Sequence, residues 1–334
     1  MTVFYFTILI TLSVAFVNGW TDAPNAIASV VSTGCLKMKN AVVIAAVADF
    51  TGAIIIGTFS SKVTETVVNI ADFGSDGRIA VVALCSAMCS VVIWAVSAWK
   101  FGIPTSESHA LIAGLTGAAV AVNGGFSGIN AHEWEKVFGG LFISTFLGLA
   151  AGFAVSKLTV RIFGSCEKSR ADKVFKGSQI ASSVLMAFMH GAQDSQKFAG
   201  IITLIFSLTN EKNTLTEKTF LPLLISSAAI ALGTATGGGR IIKAVGMDMV
   251  KLRMDQGFAA DLSGAVCLFV STMLGLPVST THTKTSAVAG VGIAKSVRSV
   301  DWKIAMEMIA AWLFTFPGCG LMGWAVTCLF LKIF

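Results

Sequence analysis

Two polar segments interrupt long apolar runs: Asn18-Gly19-Trp20-Thr21-Asp22-Ala23-Pro24-Asn25 and His190-Gly191-Ala192-Gln193-Asp194-Ser195-Gln196-Lys197. Each centres on an aspartate three residues after a glycine. A carboxylate within a membrane-length apolar run is costly, which marks it as a functional candidate. Asp22 and Asp194 cannot attract an anion; their chemistry is to hold a cation, with Asn18 and nearby carbonyls, or to carry a proton. Na+ at Asp22 and Asp194 is one such reading. Gly19, Pro24 and Gly191 are expected to unwind the helix and expose carbonyls. Asp49 and Asp261, also in apolar surroundings, are further candidates for the same cation chemistry or for structural pairing.

A second pair of motifs supplies the opposite chemistry. Pro104-Thr105-Ser106-Glu107-Ser108-His109 answers Pro277-Val278-Ser279-Thr280-Thr281-His282. Pro followed by Ser and Thr reads as a helix start. Free backbone amides and the positive end of the helix dipole make such a start an anion site. Ser106, Ser108, Ser279, Thr280 and Thr281 add hydroxyls, Asn25 and Gln193 add amides, and Lys197 can offset anionic charge. Two facing starts would enclose a small tetrahedral oxyanion. Glu107, His109, His190 and His282 read as hydrogen-bonding supports, because the histidines lack the spacing of a metal site.

The elements that must position these residues are membrane segments. Hydrophobic residues make up 54% and charged residues only 13% of 334 residues, with mean hydropathy +0.79, against about a quarter charged in soluble domains. About ten segments are expected, near 3–33, 40–59, 78–98, 106–123 and 137–159, then 179–208, 220–237, 257–276, 278–296 and 303–333. The fold expected is an all-α integral membrane protein with discontinuous helices or re-entrant hairpins. The first, sixth and last segments are long enough to be broken or strongly tilted. The N-terminal apolar run lacks a basic n-region and leads directly into the first motif, so it reads as a retained span.

Basic residues set the topology. Loops after odd-numbered segments hold sixteen of the 24 Lys and Arg, including Lys37, Lys100, Arg161, Lys173, Arg240 and Lys243; loops after even-numbered segments hold five, including Lys62 and Lys212. The positive-inside rule then puts the odd loops in the cytoplasm and both termini outside. The net charge of +6 is thus a topology signal near anionic lipid, with no nucleic-acid partner implied. Lys197 and Lys284 alone fall inside the bundle. The seven cysteines show no metal-ligand spacing and read as small packing residues.

The aspartates stand 172 residues apart and the prolines 173, so the chain reads as a duplicated unit: residues 1–160, a cytoplasmic linker at 161–178, and residues 179–334. Five segments per half, an odd number, make the second half enter the membrane from the opposite side. In such inverted repeats, substrate and ion sites form near the midplane, at the repeat interface. The pattern points to a membrane transporter.

At these motifs the chain resembles the inorganic phosphate transporter (PiT) family, which includes bacterial sulfate permeases. The resemblance spans essentially the whole chain and rests on Gly19 to Asn25, Gly191 to Lys197, Pro104 to His109 and Pro277 to His282. It departs from the family pattern at Thr21, Gln193 and Glu107. The resemblance implies symport of phosphate with Na+ or H+, by alternating access in a homodimer at the plasma membrane, with no cofactor beyond the coupling ion. It further implies that the aspartates, amides and hydroxyls surround phosphate and its cations. The alternatives are a sulfate or thiosulfate permease of the same architecture and an anion channel. An intramembrane hydrolase is disfavoured, because no nucleophile stands apart from the anion site.

Overall fold

A computed structural model of the chain describes residues 2–101, 106–208, 215–237 and 250–334. Pro104, Thr105, Lys212, Arg240 and Lys243 lie outside the described residues. The first half comprises α1 (Thr2–Thr21), α2 (Ala23–Ser32), α3 (Met38–Phe59), α4 (Lys62–Val68), α5 (Gly77–Phe101), α6 (Glu107–Asn123) and α7 (Ala131–Phe163). The second comprises α8 (Lys168–Ser207), α9 (Leu215–Thr236), α10 (Met254–Met273), α11 (Thr280–Lys295) and α12 (Trp302–Ile333). This is an all-α, multi-pass membrane fold. Five stretches are long and apolar enough to cross a membrane: Val3–Ser32, Met38–Phe59, Gly77–Ala98, Ala131–Phe163 and Ile309–Ile333.

Polarity is distributed as lipid requires. Phe142 and Phe146 of α7, with Leu313 and Phe314 of α12, are exposed, whereas the interior holds the charged and hydroxyl side chains. Helices satisfy their own backbone groups, which is what allows them to stand in hydrocarbon.

Local chemistry explains the motif helices. Pro24 has no N–H, and the helix is interrupted at the single residue Asp22, between α1 and α2. Asn25 N instead donates to Asp22 O at 2.9 Å. Ser106 and Ser279 each sit at the N-cap with extended backbone and accept from the amide three residues on, His109 N and His282 N, both at 3.3 Å. Gly124 ends α6 with φ +65°, the left-handed conformation that glycine adopts without strain. α6 and α11, at 17 and 16 residues, are about 25 Å long, short of the ~30 Å hydrocarbon core.

Three expectations change. The sixth segment is not broken: α8 is one 40-residue helix through Asp194. Gln196 stands where the first motif has Pro24, so the backbone keeps its N–H and the helix continues. Gly191 therefore does not unwind its helix. It makes room for another, since a Cβ there would lie 2.0 Å from Asp49 O. The linker at 161–178 is also largely helical, with α7 and α8 running into it and leaving only 164–167 between them. Finally, the unexpected seven-residue α4 braces the turn before α11: Lys62 Nζ donates to Met273 O at 3.1 Å and Thr66 Oγ1 to Gly275 O at 2.9 Å.

The halves interlock. α3 packs on α8, α1 on α9, α6 on α12 and α7 on α11, each pairing one half with the other. Close approaches recur at repeat spacing. A Cβ on Gly19 would meet Ile230 O at 2.1 Å, as one on Gly191 meets Asp49 O. One on Gly117 would meet Gly320 O at 2.0 Å, and one on Gly290 would meet Leu149 O at 2.0 Å. Small residues let membrane helices approach at backbone distance, where packing and weak hydrogen bonds hold them together.

Candidate functional site

All the residues singled out in the motifs, with Asp49 and Asp261, are buried, none more than 6% exposed. Two linked clusters form at the motif helices, each built from both halves.

The first cluster surrounds Asp22. Its carboxylate accepts from Thr281 Oγ1 at 2.5 Å and, more loosely, from Asn25 Nδ2 at 3.3 Å and Asn18 Nδ2 at 3.4 Å. Asn25 Nδ2 also lies 3.1 Å from Thr281 Oγ1. The Oδ1 atoms of Asn18 and Asn25 are buried without a donor. Beside them the Thr21 hydroxyl donates to Glu107 Oε1, so Glu107, at the start of α6, ties that helix to the end of α1.

The second cluster surrounds Asp194. Lys197 Nζ lies 2.6 Å from Asp194 Oδ1, 2.6 Å from Ser108 Oγ and 2.6 Å from Val278 O. Thr280 Oγ1 is 3.5 Å from the other Asp194 oxygen, and His190 Nε2 is 3.4 Å from it. A fully buried charge is tolerated only when it is paired and hydrogen-bonded, and Lys197 meets that condition with three oxygens.

The remaining candidates divide. His190 bridges the second cluster to Asp49, its Nδ1 2.9 Å from Asp49 Oδ1, while Thr234 donates to the other Asp49 oxygen at 2.6 Å. Asp261 stands apart, ion-paired with Lys284 and accepting from Ser29 Oγ at 2.6 Å. Gln193 is occupied away from the clusters: its Nε2 donates to Leu276 O at 2.7 Å and its Oε1 accepts from Thr272 at 2.5 Å. His109 and His282 meet edge-on with ring centroids 4.4 Å apart, backed by Phe316 and Trp312. Ser106 and Ser279 cap their helices and retain a hydroxyl proton to donate.

Sequence reading missed Thr21, Ser29, Thr234 and Thr272 as partners. Their signal was weak, because hydroxyls in membrane helices commonly bond their own backbone, as Thr21 and Thr234 also do. Lys284 was signalled by its place inside the bundle, but Asp261 lies on another helix and no spacing links them.

Comparison with known proteins is consistent with this arrangement. The sequence profile of the phosphate transporter family (PHO4) matches residues 18–171 and 163–323. A probable low-affinity inorganic phosphate transporter of Bacillus subtilis is 34% identical over 316 residues, covering 95% of this chain and 93% of the relative. One of Rhizobium meliloti is 36% identical over 315 residues, covering 94% and 92%. A solved structure described as the sodium-dependent phosphate transporter shares the fold with a TM-score of 0.82 over the whole of both chains, at 24% identity. With its family profile spanning both motif pairs and its relatives aligned nearly end to end, the chain belongs to the phosphate transporter family, a family of carriers and not of catalysts.

Proposed function

We propose that this protein is a cation-coupled symporter of inorganic phosphate in the plasma membrane, working by alternating access between two inverted repeats. The observation that carries the reading is the pair of interlocked clusters. Thr281 of the second half meets Asp22 and Asn25 of the first, and Ser108 of the first half meets Lys197 of the second. The capped starts of α6 and α11 converge there, offering amide dipoles and hydroxyls to an oxyanion. The carboxylates beside them suit a cation that enters with it. Phosphate as the anion is supported by the relatives' names.

Inverted repeats are supported by the recurring close approaches: Gly19 and Gly191 are 172 residues apart, and their contacts Ile230 and Asp49 fall in corresponding segments. Both termini outside and a homodimer belong to the same reading, the first from the charge of the loops and the second from the family resemblance. The coupling ion is Na+ or H+.

Uptake of labelled phosphate into proteoliposomes, with and without a Na+ or pH gradient, tests the proposal. Gradient-driven accumulation is expected, and folded protein that shows none would sink it. Sulfate that competes as well as phosphate would favour the sulfate permease, and uncoupled conductance would favour the channel.

A further inference from the structure

The two clusters correspond residue by residue. Asp194 answers Asp22 and Lys197 answers Asn25, each 172 residues on; Thr281 answers Ser108, 173 residues on. The correspondence preserves a carboxylate and a hydroxyl. It does not preserve charge, because an ammonium on one side faces a neutral amide on the other.

On the second-half side the three oxygens around Lys197 Nζ are a carboxylate, a hydroxyl and a backbone carbonyl, all at 2.6 Å. Such a set suits a small hard cation as well as an ammonium. On the first-half side the equivalent space holds the Asn25 amide, loosely bonded at 3.1–3.3 Å. There, two buried amide oxygens, Asn18 Oδ1 and Asn25 Oδ1, have no donor. Among the described residues no Lys, Arg or His forms an ion pair with Asp22. A buried carboxylate with unmatched oxygens around it is a place for a cation from solution; a carboxylate already holding an ammonium is not.

We infer that Lys197 is a tethered cation occupying the second-half position, so that the carrier takes up one exchangeable monovalent cation, at Asp22, Asn18, Asn25 and Thr281, where the duplicated aspartates alone would call for two. This rests on the coupled-symport reading. Lys197 neutralises Asp194 in every state of the transport cycle but never crosses the membrane, so it lowers the charge moved per phosphate by one. It remains beside Ser108 at the start of α6, where it also serves the anion.

The test is Lys197→Asn, which places in the second half the residue that the first half has at Asn25. Charge moved per phosphate is read from the membrane potential at which net phosphate flux reverses in proteoliposomes. One more positive charge per phosphate is expected for K197N than for the unaltered protein, whichever cation is coupled, and an equal value would overturn the inference. Should K197N not transport, its melting temperature is titrated with Na+ in the absence of phosphate, beside Asp194→Asn/Lys197→Asn. A Na+-dependent rise in K197N that the double variant lacks is expected; identical titrations would overturn the inference. Lys197→Gln replaces K197N if the shorter side chain does not fold. Asn25→Lys is the reciprocal variant. It is expected to lose whatever stabilisation by Na+ the unaltered protein shows, or to move one charge fewer, and the inference fails if both readouts stay unchanged. Because the melting titrations involve no phosphate, they decide the cation question even if phosphate uptake itself fails.

Discussion

The same aspartate is presented by a broken helix in the first half and by an intact one in the second. At Asp22 the helix stops for one residue because Pro24 has no N–H, and the carboxylate is then met by amides and a hydroxyl. At Asp194 the 40-residue α8 continues, and Lys197, one turn further on, folds back onto the carboxylate at 2.6 Å. A duplicated unit has thus kept a charge at one position and satisfied it in two ways, by neutral dipoles in one half and by an ion pair in the other. The lesson is that positional symmetry does not entail electrostatic symmetry.

That contrast can be broken most severely at the aspartates. Asp22→Asn and Asp194→Asn are both predicted to abolish coupled uptake, but only Asp194→Asn leaves a buried ammonium without its carboxylate. Removing one partner of a buried pair costs about 3–5 kcal/mol, so Asp194→Asn should lower the melting temperature markedly while Asp22→Asn does not. Equal melting temperatures would show that the two sites are electrostatically alike after all.

The next effect concerns shape, where the halves should agree. Gly19→Ala and Gly191→Ala each drive a Cβ to within 2.1 Å of a carbonyl on the other half. Each is expected to destabilise by about 1–3 kcal/mol, the usual range for overpacking. Gly177→Ala, in open space in the same helix as Gly191, serves as the neutral control in the same thermal melts.

The smallest effect concerns the caps. Ser106→Ala and Ser279→Ala each remove one hydrogen bond of 3.3 Å to a backbone amide, and each should cost about 1 kcal/mol. A loss confined to one of them would show that only one hydroxyl acts mainly as a cap, and phosphate affinity measured on both would show what else each contributes.

Much of this was legible in the sequence, for reasons that differ by residue. Asp22, Asp194 and the Pro-Ser/Thr motifs announced themselves because polar groups in apolar runs are conspicuous and because they repeat. Each of the ten expected segments has a helical counterpart. The intact α8 was missed because glycine was weighed as a helix breaker, when at Gly191 it serves a close crossing. α4 was missed because seven residues, Lys62–Val68, leave too little periodicity to read. The Lys197 contact with Ser108, across 89 residues, and the pairing of Asp261 with Lys284 from another helix depend on how helices cross, which local pattern does not encode.

The interlocked packing of the halves also bears on how the chain is made. Asp22 receives its shortest hydrogen bond from Thr281, a residue 259 positions later. At synthesis rates of about 5–20 residues per second, that partner follows by on the order of ten seconds or more. Until then the first half waits in the membrane with a carboxylate partnered only by Asn18 and Asn25, and with the faces of α3 and α6 still uncovered. Neither half is a folding unit by itself; the first to emerge from the ribosome depends on the bilayer and its insertion machinery to keep it competent until the second arrives.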